Sequence, residues 1–279
     1  MSVNSEQAEF WSTQAGHKWV AQQANMDRLL APVLDLVLQY ANLRADFIVL
    51  DIGCGAGTST RQAGDLVGPA GHATGLDISQ TLLAHAALET SAQNVRWLLA
   101  DAQTHAFQDD AFDAVISRFG VMFFADTTAA FANIARAVKS GGHITMAAWA
   151  AAPDNPWFMV PAAAARNTLG TMPKTDRTAP GPFAFENSAR IIPMLKAAGL
   201  QNITCTTHQL ALTHHGTAQQ AADLCCLIGP ADNAIHHFEA TPDQQRALRD
   251  DIADRFSAFE TAHGLDIPAS INLYQAQVK

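Results

Sequence analysis

Residues 47–60 read Phe-Ile-Val-Leu-Asp-Ile-Gly-Cys-Gly-Ala-Gly-Thr-Ser-Thr. The apolar run Phe47 to Leu50 is that of a strand buried on both faces, as in a parallel sheet. Asp51 follows, and Gly53, Gly55 and Gly57 then alternate through a tight loop. Glycines there let the backbone take positive φ and let a ligand approach where a Cβ would stand in the way. Thr58 to Val67 can start a helix, with Ala63, Leu66 and Val67 on one face and Gly68-Pro69 to stop it. Strand, glycine loop and helix open a nucleotide-binding α/β unit. The next strand, His72 to Leu76, ends in Asp77, about 20 residues after the loop, where such folds place a carboxylate for ribose hydroxyls.

A dinucleotide site wants Gly-x-Gly-x-x-Gly, with a helix N-terminus receiving a pyrophosphate. Here the pattern is Asp-x-Gly-x-Gly-x-Gly, with the acid two residues before the first glycine. Asp51 would not help an anion; a ligand with an ammonium, a ribose and no phosphate suits it better. The stretch Val49-Leu-Asp-Ile-Gly-Cys-Gly-Ala-Gly57 resembles the first motif of class I S-adenosylmethionine-dependent methyltransferases. The wording is similar to the group that serves ubiquinone and menaquinone biosynthesis. That resemblance implies S-adenosylmethionine as cofactor and S-adenosylhomocysteine as product. It assigns Asp51, Gly53, Cys54, Gly55, Gly57, Asp77 and Ile78 to the cofactor.

Later motifs extend the resemblance over roughly residues 45–150. Val95 to Leu99 is a third strand, and the family places an acid beside the adenine amino group where Asp101-Ala102 follows it. A plain turn-forming Asp accounts for Asp101 in isolation nearly as well. Phe112-Asp-Ala-Val-Ile-Ser-Arg-Phe-Gly120 is again typical, and implies that Ser117 meets the methionine part of the cofactor while Arg118 and Phe119 line the reaction centre. Arg118 as a structural ion-pair partner is the other reading. Ala129 to Val138 reads as a helix stopped by Gly141-Gly142, with a fifth strand from His143 to Trp149.

Outside this core, Met26 to Tyr40 has helical spacing, with Pro32 in the first turn or at a kink. Residues 1–25 carry Trp11, His17 and Trp19; core packing explains the aromatics, and a lid over cofactor and acceptor is the family's alternative. Residues 150–186 hold six prolines and several aromatics, as functional loops do. Asn187 or Ser188 caps a further helix, Ile203 to Leu212 is a sixth strand, and Thr217 to Cys226 and Pro242 to Ala262 read as inserted helices. Ala269 to Val278 alternates as an antiparallel strand beside the sixth. The expected fold is α/β: a Rossmann-like, seven-stranded, mostly parallel sheet with helices on both faces, an antiparallel last strand and a helical insertion between strands six and seven. A single domain, 1–279, divides into an N-terminal helical cover (1–45), a cofactor-binding core (46–150) and acceptor-side insertions (151–186 and 213–266).

With 48% apolar and 15% charged residues the chain can build a core, and its net charge of −9 without a basic block argues against nucleic acid or an anionic membrane as partner. No signal peptide or spanning segment is read, so a cytoplasmic protein without membrane insertion is expected. The partner is a small-molecule acceptor, apolar or uncharged, bordered by Trp11, Trp19, Arg118, Phe119 and Trp149. Candidate bases are His17, His236 and His237, then His214 and His215; for each, a solvated or core histidine is the plainer account. Adjacent histidines point apart, so no metal is expected. Cys225-Cys226 invites comparison with arsenite methyltransferases, but their wider cysteine set is not matched. An NAD-dependent oxidoreductase and a non-catalytic S-adenosylmethionine-binding domain are the alternatives.

Overall fold

A computed structural model describes residues 3–279. Three short helices, α1 (Ser5–Ser12), α2 (Gln14–Ala21) and α3 (Gln23–Leu29), lead into α4 (Ala31–Ala41). The helix expected over Met26 to Tyr40 is thus two helices meeting at Leu30. Pro32 lies in the first turn of α4, where its missing N–H leaves no bond unmade.

The alternating core follows: β1 (Ile48–Ile52), α5 (Thr58–Val67), β2 (His72–Asp77), α6 (Gln80–Leu88), β3 (Val95–Leu99), β4 (Phe112–Arg118), α7 (Thr127–Ala137) and β5 (Val138–Trp149). After it come α8 (Pro156–Thr168), α9 (Ser188–Ala197), β6 (Gln201–His214), α10 (Ala218–Cys225), α11 (Pro230–His237), α12 (Pro242–Phe256), β7 (Glu260–Thr261) and β8 (Gly264–Gln277). The sheet order is β3-β2-β1-β4-β5-β8-β6, with β7 paired only to β8. Strands β1 to β5 are parallel, and β8 runs antiparallel between β5 and β6, with Ile271 opposite both Trp149 and His208. The eighth strand beyond the expected seven is the two-residue β7.

Burial follows the apolar pattern. Val49, Leu50, Ala114 and Ile116 are fully enclosed between helical layers. On α5 the buried face is Thr60, Ala63, Gly64 and Val67, which share one helical line, whereas Leu66, expected there, lies about 100° away and is exposed.

Three expectations are corrected. The Gly141-Gly142 pair does not stop α7. The helix ends at Ala137, Val138 already pairs with Phe112, and the next pair is Ala114 with His143, so the glycines make a bulge in which Gly141 takes φ +79°. Residues 150–186 are not irregular throughout, because α8 occupies Pro156–Thr168. Pro156 suits its first turn, the Ala162–Ala165 run favours helix, and the packing of Trp157, Ala164 and Ala165 offsets the internal Pro161. Helix α12 stops at Phe256, not Ala262, because Glu260 and Thr261 turn back to pair with Leu265 and Gly264.

The order β2-β1-β4 makes the space between β1 and β4 a topological switch point. Ligands bind outside the carboxyl ends of the strands there.

Candidate functional site

A cavity of about 510 Å³ lies at that switch point, with the glycine loop on one side and aromatic rings on the other. The loop's glycines take φ values of +66°, +57° and +87° at Gly53, Gly55 and Gly57, each for a different reason. A Cβ on Gly53 would collide with the backbone of Gly120, and one on Gly57 with the ring of Trp97. One on Gly55 would meet no protein atom, so this glycine leaves the cavity wall bare backbone.

Asp77 fixes that loop. Its carboxylate accepts the Gly55 N–H at 2.8 Å and the Ser79 N–H at 2.9 Å, and burial pushes its carboxyl up from the ordinary range. Both Asp77 and Ile78 face the cavity, as does Cys54, whose thiol burial holds well above its usual range. Asp51 and Ser117 stand behind the wall instead. One Asp51 oxygen accepts the hydroxyls of Ser59 at 2.6 Å and Thr60 at 2.7 Å while the other is buried without a hydrogen-bond partner. Burial raises the Asp51 carboxyl to about 6, against the lowering by those hydroxyls and by Arg118. Ser117 donates to the Ile52 carbonyl at 2.8 Å and accepts the Gly120 N–H, tying the ends of β4 and β1 together.

At the end of β3, Asp101 and Ala102 also line the cavity. Asp101 accepts the Asn4 side-chain amide at 3.0 and 2.9 Å and the Gln103 N–H at 2.9 Å. Asn4 in turn accepts the Ala125 N–H at 2.9 Å. The Ser79 and Thr81 hydroxyls each donate to the N-terminal segment, at the carbonyls of Trp11 and Ser12. The first helices are therefore pinned onto the strand ends.

The far wall is aromatic. Phe119 and Trp149 stack with centroids 4.4 Å apart and planes 5° from parallel. Phe158 meets Trp149 edge-on at 4.9 Å, and Trp11 meets Trp19 and Phe123 edge-on. Phe119 holds φ +68°, a left-handed conformation that costs a bulky residue about 1–3 kcal/mol and concentrates at functional sites. Arg118 lines the same cavity and is an ion-pair partner as well: its Nη2 lies 2.8 Å from Asp27 Oδ1.

Residues 50–146 match the methyltransferase domain family. This chain contains a class I methyltransferase domain. S-adenosylmethionine is the cofactor of that class. Phosphoethanolamine N-methyltransferase 2 of Caenorhabditis elegans is 32% identical over 114 residues, 40% of this chain and 26% of that protein. Demethylmenaquinone methyltransferase of Staphylococcus aureus (strain JH9) is 33% identical over 109 residues, 39% of this chain and 45% of that protein. The chain thus spans less than half the length of these curated relatives. A putative methyltransferase from an antibiotic biosynthesis pathway of Anabaena variabilis ATCC 29413 shares the fold, with a TM-score of 0.61 at 14% identity over 88% of this chain and 96% of that one.

None of the candidate bases forms part of the cavity wall, although His236 stands against the pair of Lys18 and Asp232 that does. His17, His236 and His237 are exposed. His214 and His215 border a second cavity of about 300 Å³, where burial pushes His214 down from its ordinary range. Cys225 is buried and Cys226 half-buried, with both thiols raised by burial. Among the described residues no group of three or more His, Cys, Asp or Glu could hold a metal, and no helix is long and apolar enough to cross a membrane.

The sequence did not single out Asn4, Asp27, Lys18 and Asp232 on the cavity wall. Lys18 on α2 and Asp232 on α11 pair at 2.7 and 2.8 Å, and His236 Nε2 lies 3.2 Å from the same carboxylate. Asn4 alone carried a signal: it is a good N-cap residue before a helix, yet its side chain caps nothing.

Proposed function

We propose that the protein transfers a methyl group from S-adenosylmethionine to a small, uncharged acceptor with a flat apolar face, releasing S-adenosylhomocysteine. The observation that carries this reading is a single cavity with bare backbone at one end and stacked aromatic rings at the other. When bound, the cofactor supplies a methyl group already activated on a sulfonium.

The residues present suit that group. Gly55 leaves room against the loop, and each Asp77 oxygen that accepts a backbone N–H retains a lone pair for a ribose hydroxyl. Asp101, Ala102 and Ile78 form the adenine end in this reading, and the Asp51 carboxylate acts through the loop it supports. Phe119 and Trp149 hold the acceptor ring flat, while Trp11 and Trp19 exclude water. Segments 1–45, 151–186 and 213–266 then cover the acceptor over a 46–150 cofactor core. Alignment supplies the rate, a contribution of about 7–11 kcal/mol where nucleophile and methyl are held in line.

The cations on the wall, Lys18 and Arg118, each face an aspartate partner. That balance favours an acceptor like the quinone named for one relative over the phosphorylated amine named for the other. The test is incubation with methyl-labelled S-adenosylmethionine and fractionated metabolites. A labelled aromatic product supports the reading. Label found only on phosphorylated amines, or binding of S-adenosylhomocysteine without any transfer, overturns it.

A further inference from the structure

One side chain on the cavity wall is left half-used by the protein. Arg118 is the last residue of β4, and the pairing of Asp51 with Ile116 sets it beside the loop that leaves β1. Its Nη2 is taken by Asp27 Oδ1 at 2.8 Å, whereas its Nη1 is buried with no hydrogen-bond partner. A buried donor left unmade costs about 1–3 kcal/mol, and more when it carries charge. A buried guanidinium that the protein itself pairs on one side only is completed by a partner of opposite charge on the other.

What arrives is specified by the surroundings. Asp27 also accepts the Thr58 hydroxyl at 2.7 Å, which places the ion pair at the first residue of α5. That helix spans ten residues, has Gly57 at its cap position and has no side chain capping its first turn. The guanidinium and the helix N-terminus therefore lie at the same part of the cavity, with the Asp27 carboxylate held between them, so the charge left to recognise a ligand is local to Nη1. The planar fork of an arginine matches a carboxylate.

Resting on the cofactor reading above, we infer that Arg118 Nη1 binds the carboxylate of the cofactor's amino-acid end, and that Asp27 is the positioning residue that aims it. Arg118 thereby belongs to the cofactor side of the cavity and not to the acceptor side. Arg118 and Asp27 connect two distant stretches of chain, so the N-terminal helix α3 takes part in cofactor recognition through Asp27.

The test compares S-adenosylhomocysteine with its decarboxylated analogue, in which hydrogen replaces the carboxylate, by calorimetry on the full chain. The wild type should bind S-adenosylhomocysteine at least tenfold tighter than the analogue. In Arg118→Gln that ratio should fall to near one, with S-adenosylhomocysteine weakened and the analogue unchanged. Asp27→Asn should reduce the ratio severalfold. A merely structural arginine would weaken both ligands alike and leave the ratio intact, which overturns the assignment. A wild type that binds both ligands equally overturns it without any variant, so misfolding of Arg118→Gln cannot hide the answer. A wild type that binds neither ligand defeats the cofactor reading itself, a result distinct from equal binding.

Discussion

Around the glycine loop the cavity wall is backbone, set by strand ends and by glycines packed on Gly120 and Trp97. Across from it the wall is side chains, Phe119 just after β4, Trp149 at the end of β5, Phe158 on α8, and Trp11 and Trp19 from the far N-terminal end. A backbone wall fits a ligand that does not change, because any added atom moves a strand end or fills the pocket. A side-chain wall can be recut one residue at a time while the sheet stays as it is. Under the proposed function, affinity for the cofactor falls to one end and choice of acceptor to the other, and substitutions can break that division.

The largest effect is expected at the side-chain end. Trp149 is nearly buried and stacks on Phe119, so Trp149→Ala should cost about 3–5 kcal/mol of stability, as large aromatic truncations do. Affinity for S-adenosylhomocysteine should stay within a few fold, while turnover of the acceptor collapses. Calorimetry at a temperature where the variant is folded separates the two; an equal loss of cofactor affinity would mean the ends are not independent.

Within the loop the comparison is sharper. Gly53→Val adds left-handed strain of about 1–2 kcal/mol to overpacking of about 1–3 kcal/mol against Gly120, so the fold itself should weaken. Gly55→Val carries the strain without the collision, because its side chain projects where no protein atom lies. Its melting temperature should fall less than that of Gly53→Val, yet cofactor binding should vanish. Retained binding in Gly55→Val would remove the loop from the site.

The cofactor end also holds a charge at a cost. Asp51 is fully buried and its carboxyl rises from an ordinary 3.8 to about 6. A folded-state value above the unfolded one gives stability that is fully present below pH 3.8 and is lost as pH climbs through 6. The loss amounts to about 3 kcal/mol at neutral pH. Asp51→Asn keeps an oxygen to accept the Ser59 and Thr60 hydroxyls and cannot ionise. Urea titrations at pH 4.5 and 7.5 should show a shallower decline for the variant and a gain of up to about 3 kcal/mol at the higher pH. A pH slope identical to the wild type would mean that Asp51 is ionised in the folded protein at both values, its carboxyl unshifted by burial.

The same contrast decides how much of the molecule could be read beforehand. The glycine loop, Asp77, Ser79 as a helix cap and the strands through β4 are local in sequence, so spacing alone places them. Asp51 and Ser117 were legible as positions but not as supports, because which side of a loop a side chain takes depends on the packing behind it. Helix α8 was hidden by Pro156, which its first turn accepts, and by the internal Pro161, whose penalty tertiary packing offsets. Asp27 and Asp232 could not be found at all. Each works through a partner more than 90 residues away, Arg118 for one and Lys18 for the other, and one sequence contains no record of such pairs.

The smallest effect concerns the pair that joins two parts of the cover. Lys18 and Asp232 keep side-chain exposures of 27% and 13%, so solvent screens their attraction and the coupling should be about 1 kcal/mol or less. His236 shares the Asp232 carboxylate, which keeps some compensation in place when Lys18 is removed. Global stability is therefore a poor readout. The local one is better, because α1 has no buried residue and α2 only Gly16, so these helices have little packing of their own to hold them. In Lys18→Met, amide exchange in α2 should quicken by roughly fivefold, the factor that about 1 kcal/mol sets, while exchange in α5 stays unchanged. Added salt should quicken α2 in the wild type and do nothing further in the variant. If α5 exchange rises together with α2, the cover opens only with the whole fold, and the division between a fixed cofactor end and a separately movable acceptor end is wrong.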